Sequence, residues 1–225
     1  MNCILGLDLG QSNDFTAISV LDIIPTKHKT QVPDVDPELN VPRTREVVTD
    51  GPPLTYHVRH LERLPIGTPY PAQVARVKET LCHLPAGTAL VVDATGVGRP
   101  VTDMIVQQGL YPICVTITGG NVVTHDGLNF NVPKRDIVGV IAVALQNKRM
   151  KIAAGLPFAK TLITELENFK VKIDPKTAHD SYEAWREGIH DDLVLSVGLA
   201  AWVADYYYTH LEITEVHVLK DDYEI

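Results

Sequence analysis

Apolar residues in this chain gather into short runs separated by polar turns. Ile4-Leu5-Gly6-Leu7-Asp8-Leu9-Gly10 is a brief apolar run closed by glycine and polar residues, as a buried strand should be. Residues 15–24 form a second β-rich run beyond the turn Gln11-Ser12-Asn13-Asp14, and the two predict an antiparallel hairpin. Pro25, Pro33, Pro37 and Pro42 then fall among charged and polar residues, which predicts an exposed loop over 25–45 without regular pairing. A third strand is expected at 56–64.

Further along, the pattern alternates between helical and extended periods. It predicts helices at 71–83, 99–108, 134–147 and 158–168, and strands at 89–93 and 113–117. A two-stranded excursion fits 169–185, and a long last helix fits 191–207. There is no internal repeat. This order supports a mixed α/β sheet flanked by helices.

A chain of 225 residues can bury a substantial core, and one domain with insertions accounts for it better than two small ones. Hydrophobic residues at 45% and charged ones at 21% fit an ordinary globular protein. Cys3, Cys82 and Cys114 lack any metal-ligand spacing, so they read as buried, reduced thiols of a cytosolic protein. The N-terminus has no signal-peptide pattern, which predicts that the chain is not secreted. The longest apolar stretch, 193–204, falls short of the roughly 20 residues of a membrane span and reads as a core helix.

Charge is uneven. The net is −8, yet residues 134–186 carry 10 Lys and Arg against 6 Asp and Glu. A local basic surplus beside acidic flanks is a candidate phosphate-facing surface. Within it, Lys134 and Arg135 open a predicted helix where amides and basic side chains can jointly hold phosphate, and Lys148, Arg149 and Lys151 are further candidates for contacting DNA. Taken singly, such residues often only solvate a helix face.

Three carboxylate positions stand out because each ends a strand or starts a helix, where a side chain reaches past the rim of a sheet. Asp8 ends the first strand, Asp93 ends Leu90-Val91-Val92, and Asp191 with Asp192 opens the last helix. A carboxylate in an otherwise buried strand costs several kcal/mol unless its charge is compensated. A hard divalent cation does this, and two of them about 3.5–4 Å apart can hold a phosphate and activate water. Each aspartate alone is also an ordinary turn former or helix cap.

Gly6-Leu7-Asp8-Leu9-Gly10, Val91-Val92-Asp93-Ala94-Thr95-Gly96-Val97-Gly98 and His190-Asp191-Asp192-Leu193-Val194 together resemble the three nuclease motifs of viral (bacteriophage or prophage) terminase large subunits. The resemblance spans nearly the whole chain, with 25–45 the least matched part. It implies a ribonuclease H-like fold, endonucleolytic cleavage of duplex DNA with two Mg2+ or Mn2+ ions, and a triad of Asp8, Asp93 and one of Asp191 or Asp192, with Asp192 favoured. Asp191 is better placed as the helix cap, with Asp191 and His190 as accessory candidates. It also implies bacterial cytoplasm and the partners of packaging: an ATPase domain, a small subunit and a portal. No Gly-x-x-x-x-Gly-Lys-Ser/Thr phosphate loop is present, so no ATPase motor is expected within these residues.

Other readings remain open. Resolvases and transposases share this fold and metal chemistry. A sugar-kinase or actin-like ATPase also opens on an Asp-x-Gly hairpin, but its two domains barely fit 225 residues. A binding module without catalysis follows if the aspartates do not converge. Trp185 and Trp202 read as core or partly buried aromatics.

Overall fold

The computed structural model describes residues 2–10, 14–36, 41–96, 98–168 and 191–210. The proposed excursion at 169–185, Trp185 and His190 lie outside these residues.

All eight described strands join one mixed sheet in the order β6-β7-β5-β4-β1-β2-β3-β8. The first strand, β1 (Cys3–Asp8), pairs antiparallel with β2 (Thr16–Val35), which pairs antiparallel with β3 (Pro42–Leu64). On its other side β1 takes β4 (Ala89–Asp93) in parallel, followed by β5 (Ile113–Thr118). The short β6 (Thr124–Asp126) and β7 (Asn129–Pro133) close one edge, and β8 (Met150–Ile152) closes the other. This is the ribonuclease H-like sheet that the motifs imply. The described helices are α1 (Tyr70–Cys82), α2 (Gly98–Gln107), α3 (Lys134–Gln146), α4 (Ala159–Asn168) and α5 (Asp192–His210).

Alternation along the central strands sorts the core into two layers. Leu5, Leu7, Ile18, Leu90 and Val92 face α1 and α2, through Val74, Val77 and Ile105. Ile4, Ala17, Leu61, Val91 and Val115 face α3, α4 and α5. The apolar 193–204 stretch is indeed a core helix, buried on nearly every side. Its two small contact points explain how: a side chain at Gly6 would collide with the Ser196 carbonyl oxygen, and one at Gly198 would press on Ile137 and Ile141 of α3. The sheet covers one flank of α5 and α3 the other. Trp202 is buried there with Phe130 and Tyr206 against it.

Two expectations need correction. The described part of 25–45 is not an irregular loop: 26–35 pair with 42–51 in ten successive pairs, a two-stranded ribbon projecting about 30 Å beyond the sheet, while 37–40, with Pro37, lie outside the described residues. Prolines are tolerated because both ribbon strands are edges, where a missing N–H can face solvent. Pro25 falls at the register shift between Ile24 and Thr26. Ion pairs of Lys29 with Glu46 at 2.9 Å and Arg43 with Asp34 at 3.0 Å lace the ribbon. The second correction concerns the cysteines: Cys3 and Cys114 are buried, but Cys82, at the end of α1, is exposed.

Candidate active site

Strand register sets up the site. Leu7 lies opposite Val92, so the next step places Asp8 beside Asp93. Asp8 also faces Ala17 on β2, and Ala17 faces Arg63 on β3. Asp93, Asp8, Ala17 and Arg63 therefore form one row across four strands. Their side chains share the parity of Ile4, Val91 and Leu61, on the face covered by α3, α4 and α5.

The helix start arrives at the same place by simple arithmetic. α5 runs antiparallel to β1, since Tyr208 near its end bonds Asn2 at 3.3 Å and Ser196 abuts Gly6. Two strand residues from Gly6 to Asp8 advance about 6.6 Å, and four helical residues back from Ser196 to Asp192 about 6 Å. Asp8 and Asp192 thus sit at the same level.

Each carboxylate has particular partners. Asp93 accepts the Thr95 N–H at 2.7 Å, and Thr95 Oγ1 accepts the Ile117 N–H at 2.7 Å, which fixes the turn after β4. Asp93 is thus a turn former as well as a site residue. Asp191 faces Lys134 Nζ at 3.6 Å. Asp192, only 2% exposed, receives the Arg63 guanidinium at 2.8 Å. The same guanidinium also engages Glu165 of α4 and lies over the Phe15 ring at 4.6 Å.

The electrostatics show a cluster with too little positive charge. Burial, then Asp93, Asp192, Asp191 and Asp14, hold the Asp8 carboxyl well above the ordinary carboxylate range. Burial raises Asp93 and Asp191 against the pull of Lys134, and for Asp93 also against the Thr95 hydrogen bonds. It raises Glu165 against Arg63. Asp192 is pushed up to about 8 by burial and the adjoining Asp14 carboxyl, despite Arg63. Among the described residues, no three Asp, Glu, His or Cys side chains close tightly enough to enclose a metal ion as they stand. The donor chemistry nonetheless fits a hard divalent cation: all the acidic donors are carboxylate oxygens, and Arg63 and Lys134 are the basic groups paired with them.

Sequence reasoning misses Asp14, Arg63 and Glu165. Two of these leave a legible signal. Arg63 occupies an inward position of β3, two residues after buried Leu61, and Glu165 follows buried Ala159 and Leu162 at helical spacing, so each is a charge at a core position.

The basic candidates are scattered. Lys134 belongs to the acidic cluster itself. Arg135 is half-exposed and bonds Asn121 at 2.9 Å and Asp136. Lys148 is exposed just beyond α3, Arg149 donates to the Leu54 carbonyl, and Lys151 lies on β8. That strand pairs with β3 at 56–58, about 16–23 Å along the strand from Arg63. Lys148, Arg149 and Lys151 are therefore at the opposite rim of the sheet, not beside Lys134.

No protein-family model matches the chain, and no curated protein matches it. Among solved structures, the large terminase nuclease of the thermophilic phage G20c with bound zinc is similar over 88% of this chain and 78% of that one, with a TM-score of 0.50 and 22% identity. The manganese-soaked human cytomegalovirus terminase nuclease domain is similar over 92% and 85%, with a TM-score of 0.47 and 11% identity. The phage structure establishes a shared fold.

Proposed function

We propose that this chain is a metal-dependent endonuclease that cleaves duplex DNA, acting in viral genome packaging. The observation that carries the reading is the under-neutralised carboxylate cluster at the ends of β1 and β4 and the start of α5. Asp8, Asp93 and Asp192, joined by Asp191, are the groups that would hold two Mg2+ or Mn2+ ions. Such ions polarise a phosphoryl oxygen and supply an activated water. The chain's own contribution is to fix the acids in place: Thr95 orients Asp93, Arg63 restrains Asp192, and Lys134 attends Asp191 and Asp93. The likeness to a phage terminase nuclease supports packaging as the setting, with an ATPase domain, small subunit and portal as partners. Among the described residues no helix is long and apolar enough to cross a membrane.

The test is plasmid nicking by the purified protein in Mg2+ or Mn2+. Asp8→Asn should abolish it with the circular dichroism spectrum intact, because Asp8 lies between Asp93 and the α5 acids. Metal-dependent cleavage persisting in that variant would overturn the assignment.

A further inference from the structure

A helix that starts inside a protein needs acceptors for its first N–H groups. α5 is such a helix, with Leu193 and Val194 fully buried. Asp191 holds the capping position along the backbone, its carbonyl accepting the Leu195 N–H at 2.9 Å. Its carboxylate is turned to Lys134 instead. The acceptor comes from another element: Glu165 of α4 takes the Val194 N–H on Oε2 at 3.1 Å. Its other oxygen, Oε1, engages the Arg63 nitrogen that also reaches Asp192.

We infer that Glu165 is a positioning residue of this site, which caps α5 from outside the helix and divides the Arg63 guanidinium between two carboxylates. The inference rests on the proposed reading that the cluster takes divalent cations. The cap has a direct consequence. A helix capped by its own Asp191 would tie up an oxygen that here faces Lys134 and the site. The divided guanidinium has another. With Glu165 charged, Arg63 is shared; without that charge, Arg63 belongs to Asp192 alone, and an incoming cation must displace a buried ion pair. Glu165 itself is 5% exposed and stands behind Asp192, so it acts through Arg63 and the helix start.

Mn2+ titration calorimetry on the full chain, with amide exchange of Val194 followed in EDTA, tests this. Glu165→Gln keeps an acceptor oxygen for Val194 but loses the charge. Val194 should stay protected, while Mn2+ affinity falls about 10-fold or more, as for other residues that support metal ligands from behind. Adding Arg63→Gln removes the competing cation, so the double variant should regain much of the lost affinity. Glu165→Ala should weaken Mn2+ binding and also speed Val194 exchange. Should that variant fail to fold, the other two decide. Wild-type affinity in Glu165→Gln, or a double variant weaker than the single one, would overturn the inference and leave the nuclease reading standing. A wild-type chain that binds no Mn2+ would remove both.

Discussion

Asp192 shows how the site's chemistry and the protein's stability are linked. Its ordinary pKa is 3.8, and in the fold it is pushed up to about 8, so the folded chain binds that proton more tightly than the unfolded one. Below the ordinary value both states are protonated and there is no penalty. As pH rises from about 4 to about 8, the unfolded state gives up the proton first, and metal-free stability falls. Asp8 is shifted in the same direction. Asp8→Asn removes one acid from the cluster, so in EDTA its melting temperature should exceed that of the wild type by a margin that grows as the pH rises above the ordinary carboxylate value of 3.8. Mn2+ should erase the margin by stabilising only the wild type. Melting curves across that range check both points, and a margin that shrinks with rising pH would contradict the electrostatic account.

The individual acids are legible in the sequence because strand-end and helix-start positions can be read from short patterns. Asp8 and Asp93 each follow a buried apolar run, and Asp191-Asp192 precede a long one. Arg63 and Glu165 show in the sequence only as charges at core positions, because their role exists only once β3, α4 and α5 meet. The division of labour between Asp191 and Asp192 is hidden for the same reason. The pattern marks Asp191 as a cap, but no sequence rule says that a glutamate 29 residues before Val194 accepts the Val194 N–H instead.

At the scale of elements, the contact of β1 with α5 determines the site. Gly6 allows the Ser196 carbonyl to approach, and the approach sets Asp192 level with Asp8. Gly6→Ala should therefore cost about 3 kcal/mol or more, by overpacking a site that has backbone on one side. That corresponds to a melting temperature lowered by roughly 6–12 °C, with nuclease activity reduced further because α5 is displaced. Thermal melts and nicking assays on the same preparation measure both. The projecting ribbon is the opposite case. Its residues are largely exposed, so replacing 27–50 by a short turn should leave the melting temperature within about 4 °C of wild type. A larger loss would mean that the ribbon supports the core.

Buried elements are legible where the pattern is strong. The runs 89–93 and 113–118 and the helix 192–210 are apolar enough to declare themselves. β6, β7 and β8 escape notice because they are three to five residues long and partly polar, too short for a period to emerge. The ribbon is hard to foresee because prolines argue against a central strand and much less against an edge, and the sequence does not show which one it is.

At the scale of the whole molecule, a net charge of −8 works against binding a polyanion. Duplex affinity should be weak and depend steeply on the site's metal ions, which reverse the local sign of the acidic cluster. Lys134 and Arg135 lie at the site's end of α3, whereas Lys148 and Lys151 are at the far rim. In Ca2+, Lys134→Ala/Arg135→Ala should reduce the salt slope of duplex binding by about 1 for each phosphate that is no longer neutralised. Lys148→Ala/Lys151→Ala should leave the slope unchanged. Tight binding at physiological salt would contradict the expected weak affinity, and the reverse ranking of the two variants would relocate the DNA track to the far rim.

The central claim is that the carboxylates of β1, β4 and α5 form one divalent-metal centre. Anomalous diffraction from crystals soaked in Mn2+ tests it most directly. The account predicts two peaks about 3.5–4 Å apart, bounded by Asp8, Asp93 and the Asp191–Asp192 pair. Mn2+ bound elsewhere, or no peak at these acids at saturating Mn2+, would contradict it.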